Sequence, residues 1–142
     1  LRSKPHEENP KSLGQHLRKR RLELGLLQKD VAIRLRLGVW SYRSWENART
    51  TPGTMMYQRI IEFLGYYPHP PPMALGQRLR KIRRCLGLTS RQAARLADVD
   101  QCTFLMWEGG RWTPTARTRA KVEQFLERFE QGLPDCPPVA VR

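Results

Sequence analysis

Three cysteines and three histidines are the residues from which a metal centre or a nucleophilic site would have to be built. Cys85, Cys102 and Cys136 are scattered, none belongs to a CxxC pair, and His6, His16 and His69 stand at no ligand spacing to any of them. The spacing predicts neither a metal site nor a disulfide framework and leaves reduced thiols. No nucleophile–base set, paired acid or phosphate loop stands out, so no catalytic residue and no cofactor is expected. What remains is arginine. Lys and Arg number 26 against 13 Asp and Glu, giving a net charge of +13 and a pI near 10.7. Most of these cations are arginines, whose planar guanidinium forks onto phosphate or guanine. A field of this sign attracts polyanions: DNA, RNA or an anionic membrane.

The elements that must position this charge are constrained by length and composition. The chain has 142 residues, 39% of them hydrophobic, enough for a core in one ordinary domain or two very small ones. No apolar run approaches the roughly 18–20 residues of a membrane span, and no signal-peptide pattern is read at its start, so no membrane partner is expected.

An internal repeat sets the organisation. A shift of 62 positions places Leu13-Gly14-Gln15 on Leu75-Gly76-Gln77 and Leu24-Gly25-Leu26 on Leu86-Gly87-Leu88. The same shift, without a gap, puts Trp45-Glu46 on Trp107-Glu108, Thr51-Pro52 on Thr113-Pro114, and Phe63-Leu64 on Phe125-Leu126. About 18 of about 52 aligned positions are identical, far beyond chance for an ungapped shift. Between the copies, Gly65 to Pro72 reads as a stiff, extended connector, because proline fixes φ and holds its predecessor out of the helical region. The expected layout is a flexible tail (1–11), a first module (12–67), a Pro-rich linker (68–73), a second, more divergent module (74–130) and a flexible tail (131–142). Residues 13–64 carry about +6 and residues 75–126 about +7, so the charge belongs to the modules and not to the tails.

Periodicity within each module is helical. Leu13, Leu17 and Leu24 fall on one face, as do Leu75, Leu79, Ile82 and Leu86. Ser12 with Gln15, and Thr89 with Gln92, form capping boxes, whereas Leu27 occupies a cap position without a capping side chain. Gly25 and Gly87 stand where a helix end needs positive φ. Second helices are expected over 28–35 and 90–97, third helices over 39–47 and 101–109. Thr51-Pro52 and Thr113-Pro114 are expected to open a fourth. No segment alternates with strand period, so the class is all-α: two tandem modules of four to five helices each.

Leu26-Leu27-Gln28-Lys29-Asp30-Val31-Ala32, then Leu35 and Trp45-Glu46-Asn47, resembles the Cro/repressor, or XRE-type, helix-turn-helix family. Both modules carry the frame, the first more closely. Ala32 and Ala94 stand where the second and third helices cross closely. Leu35, Leu37, Tyr42 and Trp45 fall at core spacings, as do Val99, Phe104 and Trp107. The resemblance implies two structural ion pairs, Arg21 with Glu46 and Arg83 with Glu108. It also implies that Gln28, with Lys29 beside it, meets a phosphate of double-stranded DNA while the third helix enters the major groove. The exposed face of that helix is then Val39, Trp40, Arg43 and Ser44, with Arg43 able to fork onto guanine O6 and N7. Arg49, Arg91, Gln101 and Arg111 complete the expected DNA-binding set.

The second copy departs from the frame. Ser90 replaces the glutamine, Leu105 and Met106 stand at the positions of Arg43 and Ser44, and Asp98 and Asp100 bring negative charge. This copy reads as a weaker, nonspecific DNA module or one turned to protein contact, including a homodimer. In the first copy, the family's turn glycine falls at Arg36, where positive φ is strained, and Gly38 two residues later opens a remodelled turn with a shifted third helix as an alternative. The function expected is sequence-specific duplex binding by a prokaryotic or phage transcriptional regulator, cytoplasmic and nucleoid-associated. The competing reading is a protein–protein adaptor or assembly subunit that keeps the fold and binds nucleic acid nonspecifically. RNA-reading aromatic motifs are absent.

Overall fold

A computed structural model describes residues 10–137. The chain is all-helical: among the described residues there are eight α-helices, one short 3-10 turn and no strand. In chain order, α1 spans Leu13–Glu23, α2 Gln28–Arg34, α3 Val39–Glu46, the 3-10 turn Thr54–Met56 and α4 Tyr57–Leu64. They are followed by α5 (Leu75–Leu86), α6 (Ser90–Leu96), α7 (Gln101–Glu108) and α8 (Ala116–Phe129). The expected second and third helices are each one residue shorter than read from the sequence. Of the expected tails, residues 1–9 and 138–142 lie outside the described residues, whereas 131–137 are described and Leu133 packs against the second unit's apolar cluster.

Two compact units divide the chain. One comprises the described residues up to Pro52, Arg59–Pro70 and the segment from Cys136; the other comprises Gly53–Gln58 and Pro71–Asp135. In the first, Leu17 of α1, Val31, Ala32 and Leu35 around α2, Tyr42 and Trp45 of α3 and Ile60 and Phe63 of α4 are buried. In the second, Leu79, Ile82, Ala93, Ala94, Phe104, Trp107, Val122 and Phe125 form one apolar cluster. Leu24 and Leu86, assigned to the core face by periodicity, are instead 41% and 39% exposed. They stand at the helix ends, where the core-facing stripe has already turned away.

Local hydrogen bonding explains the boundaries. Gln15 N–H donates to Ser12 Oγ at 3.2 Å and Ser12 N–H to Gln15 Oε1 at 3.3 Å, starting α1. Thr89 and Gln92 repeat this at α6, at 3.0 and 3.1 Å. The missing cap at Leu27 is half compensated, because Asp30 Oδ2 accepts from Leu27 N–H at 2.9 Å. Proline does not open the fourth helices: Gly53 precedes the 3-10 turn, and Thr115 caps α8 with its N–H donating to Thr118 Oγ1 at 3.1 Å. Nor is the region after α4 a bare connector, since Tyr67 and Pro68 are buried.

The turn between α2 and α3 keeps its usual form. Arg36 itself adopts φ 58°, and Leu37 N–H donates to Ala32 O at 2.8 Å while Arg36 N–H donates to Ile33 O at 3.1 Å. These are the two bonds of a left-handed helix stop. Asp98 does the same after α6, with φ 58°. Neither residue is glycine, and the left-handed region costs an L-residue about 1–2 kcal/mol. The hydrogen bonds hold the turn regardless, so α3 begins at Val39 without the shift that Gly38 suggested.

Candidate nucleic-acid interface

The third helix of the first unit divides cleanly between core and surface. Tyr42 and Trp45 point inward, while Val39, Trp40 and Arg43 are exposed and Ser44 is half-buried. Trp40, at 74% exposure, is among the most exposed large apolar side chains described. Lys29 and Arg49 are also exposed. Gln28 and Arg43 belong to different helices and are brought together by the α2–α3 turn.

Behind this face runs a continuous chain of polar groups. Arg21 forks onto Glu46, Nε to Oε2 at 2.8 Å and Nη2 to Oε1 at 3.0 Å, with the two side chains only 12% and 3% exposed. Arg21 Nη1 also donates to Leu26 O at 3.2 Å, tying α1 to the loop before α2. The bond to Glu46 raises the pKa of Arg21, so the guanidinium stays charged. Burial, reinforced by the Glu46 carboxylate, raises the pKa of the Tyr42 hydroxyl and keeps it protonated. Gln28 Nε2 then donates to Glu46 Oε1 at 3.4 Å, and Gln28 Oε1 accepts from Arg43 Nε at 3.2 Å. The sequence suggested a phosphate donor at Gln28. The geometry adds a second task, since the same amide orients Arg43 and keeps one N–H hydrogen to offer outward. The start of α2 is also less positive than expected, because Asp30 sits in its first turn.

In the second unit the corresponding ion pair is Arg83 Nη1 to both carboxylate oxygens of Glu108, each at 2.7 Å, joined by Arg80 Nε at 3.3 Å. Gln101 Nε2 donates to Ser90 Oγ at 2.8 Å, so this expected site residue meets the serine that replaces the glutamine of the first copy. Arg91 and Arg111 are exposed, and Leu105 is 46% exposed on α7. The two aspartates are occupied locally. Asp100 caps α7, accepting from Thr103 N–H at 3.0 Å and Thr103 Oγ1 at 2.6 Å, and the Thr103 hydroxyl lowers its pKa. Asp98 Oδ2 lies 3.2 Å from Lys121 Nζ. The repulsion they were expected to add is thus partly answered by Lys121. Asp-x-x-Thr before an apolar helix was the signal for the Asp100 cap.

A buried polar residue that the sequence did not single out is His16. It is buried in α1, with Nδ1 2.7 Å from the Tyr66 hydroxyl and the rings edge to face. Burial lowers its pKa, and Lys19 lowers it further. The folded state therefore keeps His16 neutral where the unfolded chain takes up a proton, so the unfolded state binds more protons in that window. Stability is full above pH of about 6.5 and falls as pH drops from there towards the folded pKa. A series of urea melts from pH 7.5 to 5 should show this decline, and His16→Gln should flatten it. A decline of equal slope in the variant would place its origin elsewhere.

Residues 17–69 match the helix-turn-helix family model. That stretch is similar to a helix-turn-helix domain. It contains α2, the left-handed turn and α3, and supports the XRE-type resemblance carried by Gln28, Ala32 and Trp45; the match covers less than half of the chain. The chain matches no curated protein and no solved structure. Among the described residues, no helix is long and apolar enough to cross a membrane.

Proposed function

We propose that the first helix-turn-helix binds double-stranded DNA sequence-specifically, as the reading head of a prokaryotic or phage transcriptional regulator working at cytoplasmic DNA. The observation that carries this is Arg43, exposed on α3 yet tethered through Gln28 to the buried Arg21–Glu46 pair. An arginine held in this way loses less side-chain freedom on meeting a guanine edge, which favours specific over diffuse attraction. Ser44 reads beside it, Val39 meets a thymine methyl, and Trp40 lies against the sugar–phosphate edge. Gln28, Lys29 and Arg49 contact the backbone.

The second repeat serves as a weaker duplex-binding module through Arg91, Gln101 and Arg111. Leu105 supports a second reading for this repeat alone: an exposed apolar side chain at the position of Arg43 suits a protein partner or a second copy of the chain.

Duplex affinity measured against salt should fall with a slope of about −0.9 per phosphate contact on a log–log plot. A flat response sinks the reading. On a panel of single-base variants of a selected site, Arg43→Ala should cost about 1–3 kcal/mol and relax preference at one or two base pairs. Leu105→Ala should leave the preference unchanged. The reverse pattern would exchange the roles of the two repeats.

A further inference from the structure

The first unit has a second cationic feature that shares no residue with the proposed DNA-reading face. Arg20 and Leu24 from α1, Arg34 at the end of α2, Leu35 and Arg36 from the turn, and Arg59, Glu62 and Phe63 from α4 line a cleft of about 530 Å³. Four guanidiniums converge there against one carboxylate. Two are fixed from behind: Arg20 Nε donates to Phe63 O and Arg59 Nη1 to Leu35 O, both at 3.2 Å. Among the described residues, none of the four forms an ion pair with a carboxylate. Like charges gathered with a single carboxylate among them destabilise a fold, so their clustering needs a reason outside folding.

The repeat supplies the control. At the matching positions, 62 residues on, the second unit has Ile82, Leu96, Asp98 and Lys121 in place of Arg20, Arg34, Arg36 and Arg59. There Lys121 pairs with Asp98, and the four positions sum to no net charge. Helices of the same lengths, α6 and α7 matching α2 and α3, therefore form without the arginines.

We infer that this cleft binds a small organic phosphate, its phosphate groups forked by Arg34, Arg36 and Arg59 and its apolar part resting on Leu24 and Phe63. The volume falls within the range of small-ligand sites, and a net +3 from four arginines and Glu62 matches a nucleoside diphosphate in charge. The claim does not depend on DNA reading, because Gln28, Arg43 and Ser44 lie outside the lining.

The test is calorimetric titration of the full chain with inorganic phosphate, pyrophosphate, ADP and ATP at a fixed 150 mM salt, roughly physiological ionic strength. Saturable binding of ADP at one site per chain is expected, at least about tenfold weaker in an Arg34→Gln/Arg36→Gly double variant. The glycine relieves the left-handed backbone, so loss of binding cannot be laid to unfolding. Arg95→Gln/Arg119→Gln removes the same charge from exposed positions of the second unit and should keep full affinity. Equal weakening in both double variants would reduce the effect to bulk charge and overturn the site. So would failure of every probe to bind, or a double variant that lost only duplex affinity, which would make the cleft a DNA-backbone contact.

Discussion

Replacing Trp45 by alanine should remove about 3–5 kcal/mol of stability, the usual cost of emptying a large aromatic site from a core. Trp45 is 7% exposed on α3, which packs against α1 and α2. Small domains hold roughly 5–15 kcal/mol in total, so this loss should leave the first unit largely unfolded near physiological temperature. Trp40 is the internal control, since it is the same residue type on the same helix but 74% exposed. Trp40→Ala should change stability by no more than about 0.5 kcal/mol, as surface substitutions do. Urea melts followed by far-UV circular dichroism separate the two variants. A Trp45→Ala chain that melts like the parent but no longer binds duplex would make Trp45 a contact residue and undo its place in the core.

Much of this was legible in the sequence because it rests on rules local to a few residues. The capping pairs Ser12–Gln15 and Thr89–Gln92, the left-handed glycines Gly25 and Gly87, and the helical spacings of Leu13 with Leu17 and of Tyr42 with Trp45 each carry their own signal. The pairing of Arg21 with Glu46 was implied by the helix-turn-helix resemblance, and the structure puts the two side chains in direct contact. What stayed hidden depends on distances between elements. Nothing in the string says that Gln28 spans Glu46 and Arg43, because those residues are eighteen and fifteen positions away and meet only once the turn has closed. The partnership of His16 with Tyr66 crosses fifty positions for the same reason.

The errors have physical causes too. Leu24 and Leu86 satisfied the periodic pattern but lie at helix ends, where the pattern no longer reports burial. Arg36 broke the family's glycine preference, yet two hydrogen bonds to the end of α2 hold its backbone in the left-handed region. The preference is an energy of about 1–2 kcal/mol, and a folded unit can absorb it. Pro52 and Pro114 were read as helix openers, but the helices start beyond them, at Gly53 and Thr115 as caps. A proline marks the neighbourhood of a helix start without fixing the residue.

The glycine of the repeated Leu-Gly-Gln string leads to the second large effect. Gly14 lies inside α1, where exchange for alanine ordinarily stabilises an exposed helix by about 0.5–1 kcal/mol. Here the sign should invert. A Cβ at Gly14 would run into the backbone carbonyl oxygen of Trp45 and come within 2.7 Å of that of Glu46. Gly76 in α5 faces the carbonyls of Trp107 and Glu108 in the same way. The obstacle is backbone, so no side-chain rotation relieves it; α1 and α3 must move apart. That separation would stretch the Arg21–Glu46 fork, now at 2.8 and 3.0 Å, and with it the anchor of Gln28 and Arg43. Overpacking a tight contact costs about 1–3 kcal/mol, and the upper end is expected where both partners are main chain. Gly14→Ala should therefore lower the melting temperature by several degrees, roughly 4–8 °C for each kcal/mol in a unit of this size. Its duplex affinity at a temperature where it remains folded should also fall, as the anchor of Arg43 loosens. A Gly14→Ala chain more stable than the parent would show that α1 and α3 are not in close contact at this residue.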